Sequence, residues 1–479
     1  MANFNKILYH GKNYLISNIG SKALAFVSIP VFTRLLTTYD YGIVSLYLGV
    51  VAIFASIITL STDKSISRYY FDKKSNNDFK MFIGTSSVIA VTIFVIVSVL
   101  IVYNAQLIHL KTGLPRNTIL LIIPISIINV IALTFEQIYG PQKMSRIIAM
   151  ASIARTYISF MMSVILIYSL STNKYNGPIL GQIFTGLLFV IFWVWKISPY
   201  YKLSFRIQYV KYILTYSVPL IPYALSGIII EQIGKIFIGN TQGIPQAGFY
   251  SLALAISSLV GIGISVSHQA WTPYFMEYMN EKKYQQIDSD FQKIFKITLI
   301  FAMIVAAFGY EIGNILAKEN FTESLYLIPV FTIGYIFYQY SFAYLRNFGY
   351  SKKTYLSSIT ILISGVSNIL LNYYLIDLYG ELGSALSFTL SYFIMLLLSW
   401  SINRIFVKIH ATSLLLLAKP VISIIPFYIL IYGIFVYGSG VFMILIKVFL
   451  VALFSLILIW DDRSIIYSAF QRTFIKINN

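Results

Sequence analysis

The chain has 479 residues, of which 58% are hydrophobic and 11% are charged, and its mean hydropathy is +0.77. Soluble domains carry about 25% charged residues, so this composition excludes an ordinary cytosolic enzyme, and its hydrophobicity excludes a disordered chain. Cysteine is absent, which excludes disulfides, a thiol nucleophile and a cysteine metal site. The net charge of +18 would favour nucleic acid in a soluble protein, but in so apolar a chain it points to membrane topology.

Apolar segments long enough to cross a bilayer recur along the whole chain. About 20 residues are needed, because the hydrocarbon layer is roughly 30 Å thick and a helix rises about 1.5 Å per residue. Lys22 interrupts the first segment and no small-x-small cleavage site follows it, so we expect this span to be retained. The sequence predicts an all-α polytopic membrane protein with fourteen transmembrane helices, at residues 13–33, 42–62, 81–103, 118–138, 147–170, 178–197, 212–236, 248–270, 294–315, 324–345, 355–377, 383–403, 415–437 and 440–460.

The positions of lysine and arginine predict the orientation of these spans. Of the 35 basic residues, 26 lie on one side, at the N-terminus, in even-numbered connections or at the span ends beside them, or in the C-terminal tail. Only 5 lie in odd-numbered connections: Arg34, Lys111, Arg116, Lys174 and Lys318. Because cytoplasmic loops are enriched in basic residues, both termini are predicted to be cytoplasmic. The charge is then explained without a nucleic acid partner.

A short internal repeat predicts how the spans are grouped. Gly42–Leu48, which opens span 2, matches Gly248–Leu254, which opens span 8, at four of seven positions and an offset of 206 residues. A unit of six spans used twice would give this offset and would keep both copies in one orientation. The predicted division is an N-lobe at 1–206, a C-lobe at 207–404, and two further spans with a cytoplasmic tail at 405–479.

Prolines occupy corresponding spans of the two predicted lobes. Pro30 lies in span 1, and Pro219 and Pro222 lie in span 7. Proline removes a backbone donor and bends a helix, and paired interrupted spans often mark a transport site. Proline is also more frequent in membrane helices generally, so functional hinges and ordinary membrane-helix prolines are both open interpretations.

Among the ionisable residues inside the predicted spans or near their ends, seven are candidates for a functional site: Lys22, Glu136, Arg155, Glu231, Lys235, Glu311 and Lys447. A charge at the bilayer centre costs about 2.5–3.5 kcal/mol, so such residues normally face a partner or a wet cavity. Glu231 and Lys235 are four residues apart on one helical face, which fits either a structural pair or part of a site. Lys22 and Arg155 lie deeper and have no acid nearby in sequence, which favours function, whereas the long side chain of Lys447 can reach the membrane surface. The positive balance suits an anionic substrate.

Other chemistry is missing or weakly indicated. No G-x-x-x-x-G-K-[ST] sequence is present to bind ATP phosphates. Asp288-Ser-Asp290 has the form used by some glycosyltransferases, but it lies in a short connection, 271–293, that is predicted to be an amphipathic surface helix. Asn368 and Asn372 are expected to join helices. The four histidines are scattered, so neither a metal site nor a cofactor is predicted.

Four stretches of sequence carry a resemblance to a known family, at residues 30–42, 67–71, 216–251 and 270–275. On these stretches, the sequence resembles Wzx-type O-antigen or capsule-unit flippases, which are polysaccharide exporters of the multidrug/oligosaccharidyl-lipid/polysaccharide (MOP) flippase superfamily. The stretches follow one another in the family's order and spacing.

The resemblance implies two six-helix lobes around a central cationic cavity that opens alternately to each side. It places basic residues at Arg34, Arg68 and Lys235. Relatives often have Asp-Arg in span 7, whereas this chain has Gly234-Lys235, so Glu231 is a candidate to replace the missing acid. The predicted substrate-binding residues are Lys22, Arg34, Arg68, Arg155 and Lys235, and the predicted ion-coupling residues are Glu231, Glu136 and Glu311.

The function that the resemblance implies is translocation of an undecaprenyl-diphosphate-linked oligosaccharide from the cytoplasmic to the outer leaflet of the bacterial cytoplasmic (inner) membrane. The expected partners are this polyprenyl-diphosphate-linked glycan, membrane lipids, and the glycosyltransferases and polymerase of the same pathway. Without an ATP site, a gradient of H⁺ or Na⁺ is the expected energy source. A MATE-like multidrug antiporter is the main alternative, although it should have an acidic cavity. A membrane polysaccharide polymerase or ligase would need a large extracytoplasmic loop, which the predicted spans leave no room for.

Overall fold

A computed structural model describes residue 24, residues 26–437 and residues 440–460. Every regular element in these residues is helical, as predicted, and no strand occurs among them. Nine helices there are long and apolar enough to cross a membrane. Lys22, a predicted substrate-binding residue, lies outside the described residues.

The described part of the first half of the chain forms eleven α-helices. They are α1 (Phe26–Leu35), α2 (Thr38–Thr59), α3 (Thr62–Asp72), α4 (Asn76–Tyr103), α5 (Ala105–Thr112), α6 (Arg116–Leu120), α7 (Ile122–Tyr139), α8 (Ser145–Ser169), α9 (Asn176–Ile197), α10 (Ile207–Ser217) and α11 (Ile221–Thr241). Helix α2 begins at a capping box in which Thr37 and Asp40 satisfy each other's backbone N–H groups, so the chain turns sharply after α1.

The second half forms six helices, several of them longer than the predicted spans. They are α12 (Ile244–Asn280), α13 (Tyr284–Leu316), α14 (Ile328–Tyr350), α15 (Thr354–Ile402), α16 (Leu414–Tyr437) and α17 (Val441–Trp460). The predicted surface helix at 271–293 is wrong as a separate element. Its residues instead extend α12 and α13, which meet at a short turn where Lys282 has φ 56°.

Two helices are interrupted where the sequence carries proline or glycine. The predicted span at 212–236 divides into α10 and α11 at a 3₁₀ turn, Val218–Leu220, beside Pro219 and Pro222. The chain reverses within α15 at Gly380, whose φ of 60° is costly for other residues. The chain therefore breaks at Pro219 but not at Pro30, which lies inside α1, and a role of Pro30, Pro219 and Pro222 as hinges stays a prediction.

Buried amides hold the two halves of α15 together as a hairpin. Asn368 donates to the Ser391 hydroxyl at 3.0 Å, and the Ser384 hydroxyl donates to Asn372 Oδ1 at 2.7 Å. Both asparagines are 1% exposed. They join helices as predicted.

The chain forms two compact units. The first contains the described residues up to Leu252 together with Asn314–Ser324 and Thr354–Ser391. The second contains Ala253–Gly313, Leu325–Lys353 and the described residues from Tyr392 onward. The full count of fourteen spans, the cytoplasmic termini and the lobe boundaries at 206 and 404 stay predictions.

The two glycines that open the sequence repeat lie against each other in the first unit. A Cβ added to Gly42 would overlap the carbonyl oxygen of Ile244, and a Cβ added to Gly248 would lie 3.0 Å from the carbonyl oxygen of Thr38. Each glycine therefore lies against the carbonyl oxygen of the residue four positions before the other glycine. This reciprocal contact is what a local two-fold relation between α2 and α12 requires, and it supports the repeat found in the sequence.

Candidate functional site

A polar cavity of about 310 Å³ lies within the first unit. Residues from α1, α7, α8 and α9 line it, and two predicted site residues, Glu136 and Arg155, are among them. The remaining polar lining comes from hydroxyls of α1 and α8, among them Ser28 and Ser159, and from Gln182 of α9. Arg155 is ten residues into α8, or about 15 Å along its axis, which is close to half of a bilayer's hydrocarbon thickness.

Arg155 is held in this cavity by contacts with two other helices. Its Nη2 donates to Asn129 Oδ1 of α7 at 2.9 Å. Its guanidinium carbon lies 5.2 Å from the centre of the Trp193 ring of α9, a cation–π distance. A guanidinium has five N–H donors, and only one of them is used in a hydrogen bond among the described residues. The other donors are available to an anion in the cavity.

Two acidic residues, Glu136 of α7 and Asp63 of α3, lie near the end of α7 that the charge distribution predicts to be cytoplasmic. Glu136 is three residues from the end of α7, and its charge attracts that of Arg155 and is repelled by that of Asp63. Asp63 lies in the first turn of α3, outside the candidate membrane spans, and burial raises the pKa of its carboxyl. The nearby Lys64 charge opposes this rise in pKa. Asp63 does not line the cavity, so the site combines one deep cation, Arg155, with one acid, Glu136.

Lys235 and Glu231 lie elsewhere in the first unit, on α11. Lys235 Nζ donates to Gln232 Oε1 at 3.0 Å, and Gln232 lies against Gly49 of α2. The charge of Glu231 acts on Lys235, although the Glu231 side chain itself is exposed. The two residues are therefore coupled, as their spacing suggests, but neither lines the cavity around Arg155.

Arg34 and Arg68 lie near helix ends rather than with Arg155. Arg34 Nη1 donates to the carbonyl of Pro30 at 2.9 Å, and its Nη2 donates to the carbonyl of Ile315 in the last turn of α13 at 3.3 Å. Arg68 forms an exposed ion pair with Asp72 at 3.3 Å in α3. Of the seven predicted charged site residues that the structure describes, only Arg155 and Glu136 therefore share this cavity.

Glu311 forms an ion pair in the second unit. Lys447 Nζ of α17 lies 2.7 Å from Glu311 Oε1 of α13, and the Lys447 side chain is only 2% exposed. The side chain of Lys447 therefore does not reach the membrane surface, and that expectation is wrong. It is buried because α13 places a carboxylate within its reach, which the separate hydropathy of each span does not reveal.

A second buried cation was missed in the sequence because it lies near a predicted span end. Arg346 of α14 is 8% exposed, and its guanidinium lies 3.9 Å from the centre of the Trp271 ring and 4.9 Å from that of Phe291. Its Nε donates to the Phe342 carbonyl, and its two Nη atoms have no hydrogen-bond partner among the described residues. The spacing of Trp271 and Phe275 on one face of α12 is the sequence signal for this aromatic surround.

Asn129 was also missed, although its position follows from the helical hairpin. Asn129 and Arg155 are equally far from residue 142, in the turn between α7 and α8. Residues at equal distances from such a turn lie at similar depth in antiparallel helices.

The fold is that of a known class of membrane transporters. The structure of the lipid II flippase MurJ in an inward closed conformation matches with a TM-score of 0.65 and 15% sequence identity, covering 95% of this chain and 99% of that chain. An inward-facing multidrug resistance MATE family transporter of the MOP superfamily matches with a TM-score of 0.60 and 14% identity, covering 84% of this chain and 94% of that chain. The chain is a polytopic all-α membrane protein with this shared fold.

The family follows from the sequence comparison. A family model described as polysaccharide biosynthesis protein matches residues 12–279, which is more than half of the chain. The chain belongs to this family, as the resemblance predicted. Protein 1 of the Lsg locus of Haemophilus influenzae is 24% identical over 403 residues, covering 79% of this chain and 96% of that protein.

Proposed function

We propose that the protein is a flippase that moves a polyprenyl-diphosphate-linked oligosaccharide across the bacterial cytoplasmic membrane, and that it acts as a transporter rather than an enzyme. The observation that carries this proposal is Arg155, a cation near half the membrane depth in an open polar cavity, with most of its N–H donors unused. Arginine binds phosphate oxygens strongly, because its planar donors pair with two oxygens at once. The polysaccharide biosynthesis family and the MurJ-like fold support a lipid-linked glycan as the ligand.

The lining of the cavity suits the head of such a lipid. Phe32, Phe135, Phe160 and Trp193 present aromatic faces beside the hydroxyls and Gln182. Aromatic rings pack against the apolar faces of sugars, and hydroxyls and amides bond to sugar hydroxyls. Only the phosphate and glycan need to enter, since the polyprenyl tail can remain in the bilayer.

Transport can be measured directly in proteoliposomes. Purified protein is reconstituted with a fluorescent undecaprenyl-diphosphate oligosaccharide, and the label in the outer leaflet is quenched by a membrane-impermeant reductant. The flippase should expose inner-leaflet label to the reductant faster than empty vesicles do, and it should not accumulate cationic dyes. Dye uptake without glycan-lipid flipping would instead support the multidrug antiporter, whose fold is shared.

We infer further that Glu136 couples transport to an ion gradient, with H⁺ as the ion. Glu136 shares the cavity with Arg155, whereas Glu231 and Glu311 do not line it. Protonation of Glu136 would remove a charge that attracts Arg155, and would free the guanidinium for an anion. Glu231 and Glu311 are less suited to couple the ion, because they lie away from this cavity.

This coupling predicts a specific effect of Glu136→Gln. The variant should flip at a rate that no longer changes when a pH gradient is imposed, whereas the wild-type rate changes at least severalfold. Glu231→Gln is the matched control and should keep the gradient dependence. If Glu136→Gln responds to the gradient as the wild type does, Glu136 is not the coupling residue.

A further inference from the structure

A second basic cavity lies at the end of the first unit that the charge distribution predicts to be extracytoplasmic. It has a volume of about 450 Å³ and is lined by Arg34, Lys174 and Lys318. These residues come from three different connections, after predicted spans 1, 5 and 9. They are three of the five basic residues predicted on that side. Because that side is depleted of basic residues, the convergence of three of them calls for a local reason. We name this feature the outer basic cavity.

The acid in the outer basic cavity is already engaged. Asp40 is 8% exposed, and it is the carboxylate among the lining residues. Its Oδ2 accepts from the Thr37 hydroxyl at 2.7 Å, and its Oδ1 accepts from the Tyr175 backbone N–H at 3.3 Å. These bonds cap α2 and fix the connection before α9. Asp40 therefore stabilises the walls of the cavity and forms no ion pair with its lysines among the described residues.

The basic side chains keep most of their donors. Arg34 uses two N–H groups on backbone carbonyls, which anchors it at the end of α13. The side chains of Lys174 and Lys318 form no hydrogen bond or ion pair with the described part of the chain. Neutral donors from the connection between α8 and α9, Ser171–Asn173, also line the cavity. Converging donors of net positive charge, in a cavity of ligand-binding size, favour an oxyanion.

We propose that the outer basic cavity binds a phosphate-bearing anion on the extracytoplasmic side of the membrane. The phosphate can belong to the transported lipid after translocation, in which case the inference rests on the proposed function, or to the headgroup of an anionic phospholipid. Both sources present the same oxygens to Arg34, Lys174 and Lys318.

Pyrophosphate binding to the purified protein tests this site without requiring transport. Titrations are done in the Arg155→Met background, so that the cavity around Arg155 does not contribute. Lys174→Gln with Lys318→Gln should weaken pyrophosphate binding at least about tenfold, because two charged donors are lost. The matched control, Lys111→Gln with Arg116→Gln, removes the same charge from the same predicted side but outside the cavity, and should leave binding unchanged.

Two further measurements make the outcome unambiguous. The melting temperature of the Lys174→Gln, Lys318→Gln variant should equal that of its background, because these side chains are unpaired. In nanodiscs, competition of phosphatidylglycerol with pyrophosphate assigns the site to a phospholipid, and its absence assigns the site to the transported lipid. Equal pyrophosphate affinity in the two charge variants, or no binding by their common background, would overturn the site. A failed flipping assay alone would leave it standing.

Discussion

Replacing Gly42 with alanine is expected to disrupt the contact between α2 and α12. The new methyl group would overlap the Ile244 carbonyl oxygen, which belongs to helix backbone and cannot rotate away. Overpacking a tight contact costs about 1–3 kcal/mol, and a backbone neighbour places this substitution near 3 kcal/mol. A cost of this size lowers the population of the state in which α2 and α12 are in contact, relative to the state in which they are apart, by a factor of more than a hundred.

The absence of cysteine makes this effect measurable by labelling. Ala247, next to Gly248 in α12, is fully buried, so a single Ala247→Cys substitution reports on the contact. A membrane-impermeant maleimide added outside cells should label Ala247→Cys at least about tenfold faster in the Gly42→Ala background, because the contact is open. The same result would place the N-terminal ends of α2 and α12 at the extracytoplasmic side.

The control for this experiment is Gly227→Ala. No atom lies within 4 Å of a Cβ added at Gly227, so alanine fits there and favours the helix. Gly227→Ala should leave Ala247→Cys protected. If Gly42→Ala leaves labelling and melting temperature as they are in the wild type, the close contact and the two-fold relation based on it are wrong.

Replacing Lys447 with methionine is expected to destabilise the second unit by about 3 kcal/mol, because removing one partner leaves a mostly buried carboxylate without compensation. Glu311 has a second oxygen, Oε2, that is already without a hydrogen-bond partner among the described residues. The free energy of unfolding in detergent, measured by chemical denaturation, gives the loss. The effect is large because Lys447 is 2% exposed and Glu311 is 25% exposed.

A double-mutant cycle separates the ion pair from packing. Lys447→Met combined with Glu311→Gln should recover most of the loss, because no uncompensated charge remains. Lys293→Met removes a more exposed pair with Asp290 and should cost less than about 0.5 kcal/mol. If the double variant is as unstable as Lys447→Met, the pair is not the source of the stability. If the double variant still transports, Glu311 does not couple an ion.

The fold followed from the sequence because membrane insertion imposes long apolar runs. Each predicted span from 42–62 onward overlaps a described helix, and the repeat that begins at Gly42 and Gly248 corresponds to a real reciprocal contact. The surface helix at 271–293 failed because charged residues there reflect the extension of α12 and α13 beyond their apolar segments. A separate surface helix and the charged ends of two long helices give the same pattern of mixed charge in the sequence.

The site was less predictable, since it depends on which helix faces meet. Arg155 and Glu136 were found because ionisable residues are rare within spans, whereas Gln182 and Trp193 resemble many other residues of membrane helices. From the sequence, Arg346 was assigned to the basic residues near span ends that indicate the orientation of the spans. Only its aromatic neighbours in the folded protein show that it is buried.

The flipping rate of Arg155→Met tests the central claim most directly, because the substitution removes the deep cation and keeps an unbranched stem in its place. Compared with wild type at equal protein per vesicle and equal melting temperature, Arg155→Met should flip the glycan-lipid at least about tenfold more slowly, as expected for lost charged hydrogen bonds. Arg155→Lys should lie between the two, and Lys111→Met should match wild type. A folded Arg155→Met protein that flips at the wild-type rate would contradict the assignment of this cavity to the phosphate of the substrate.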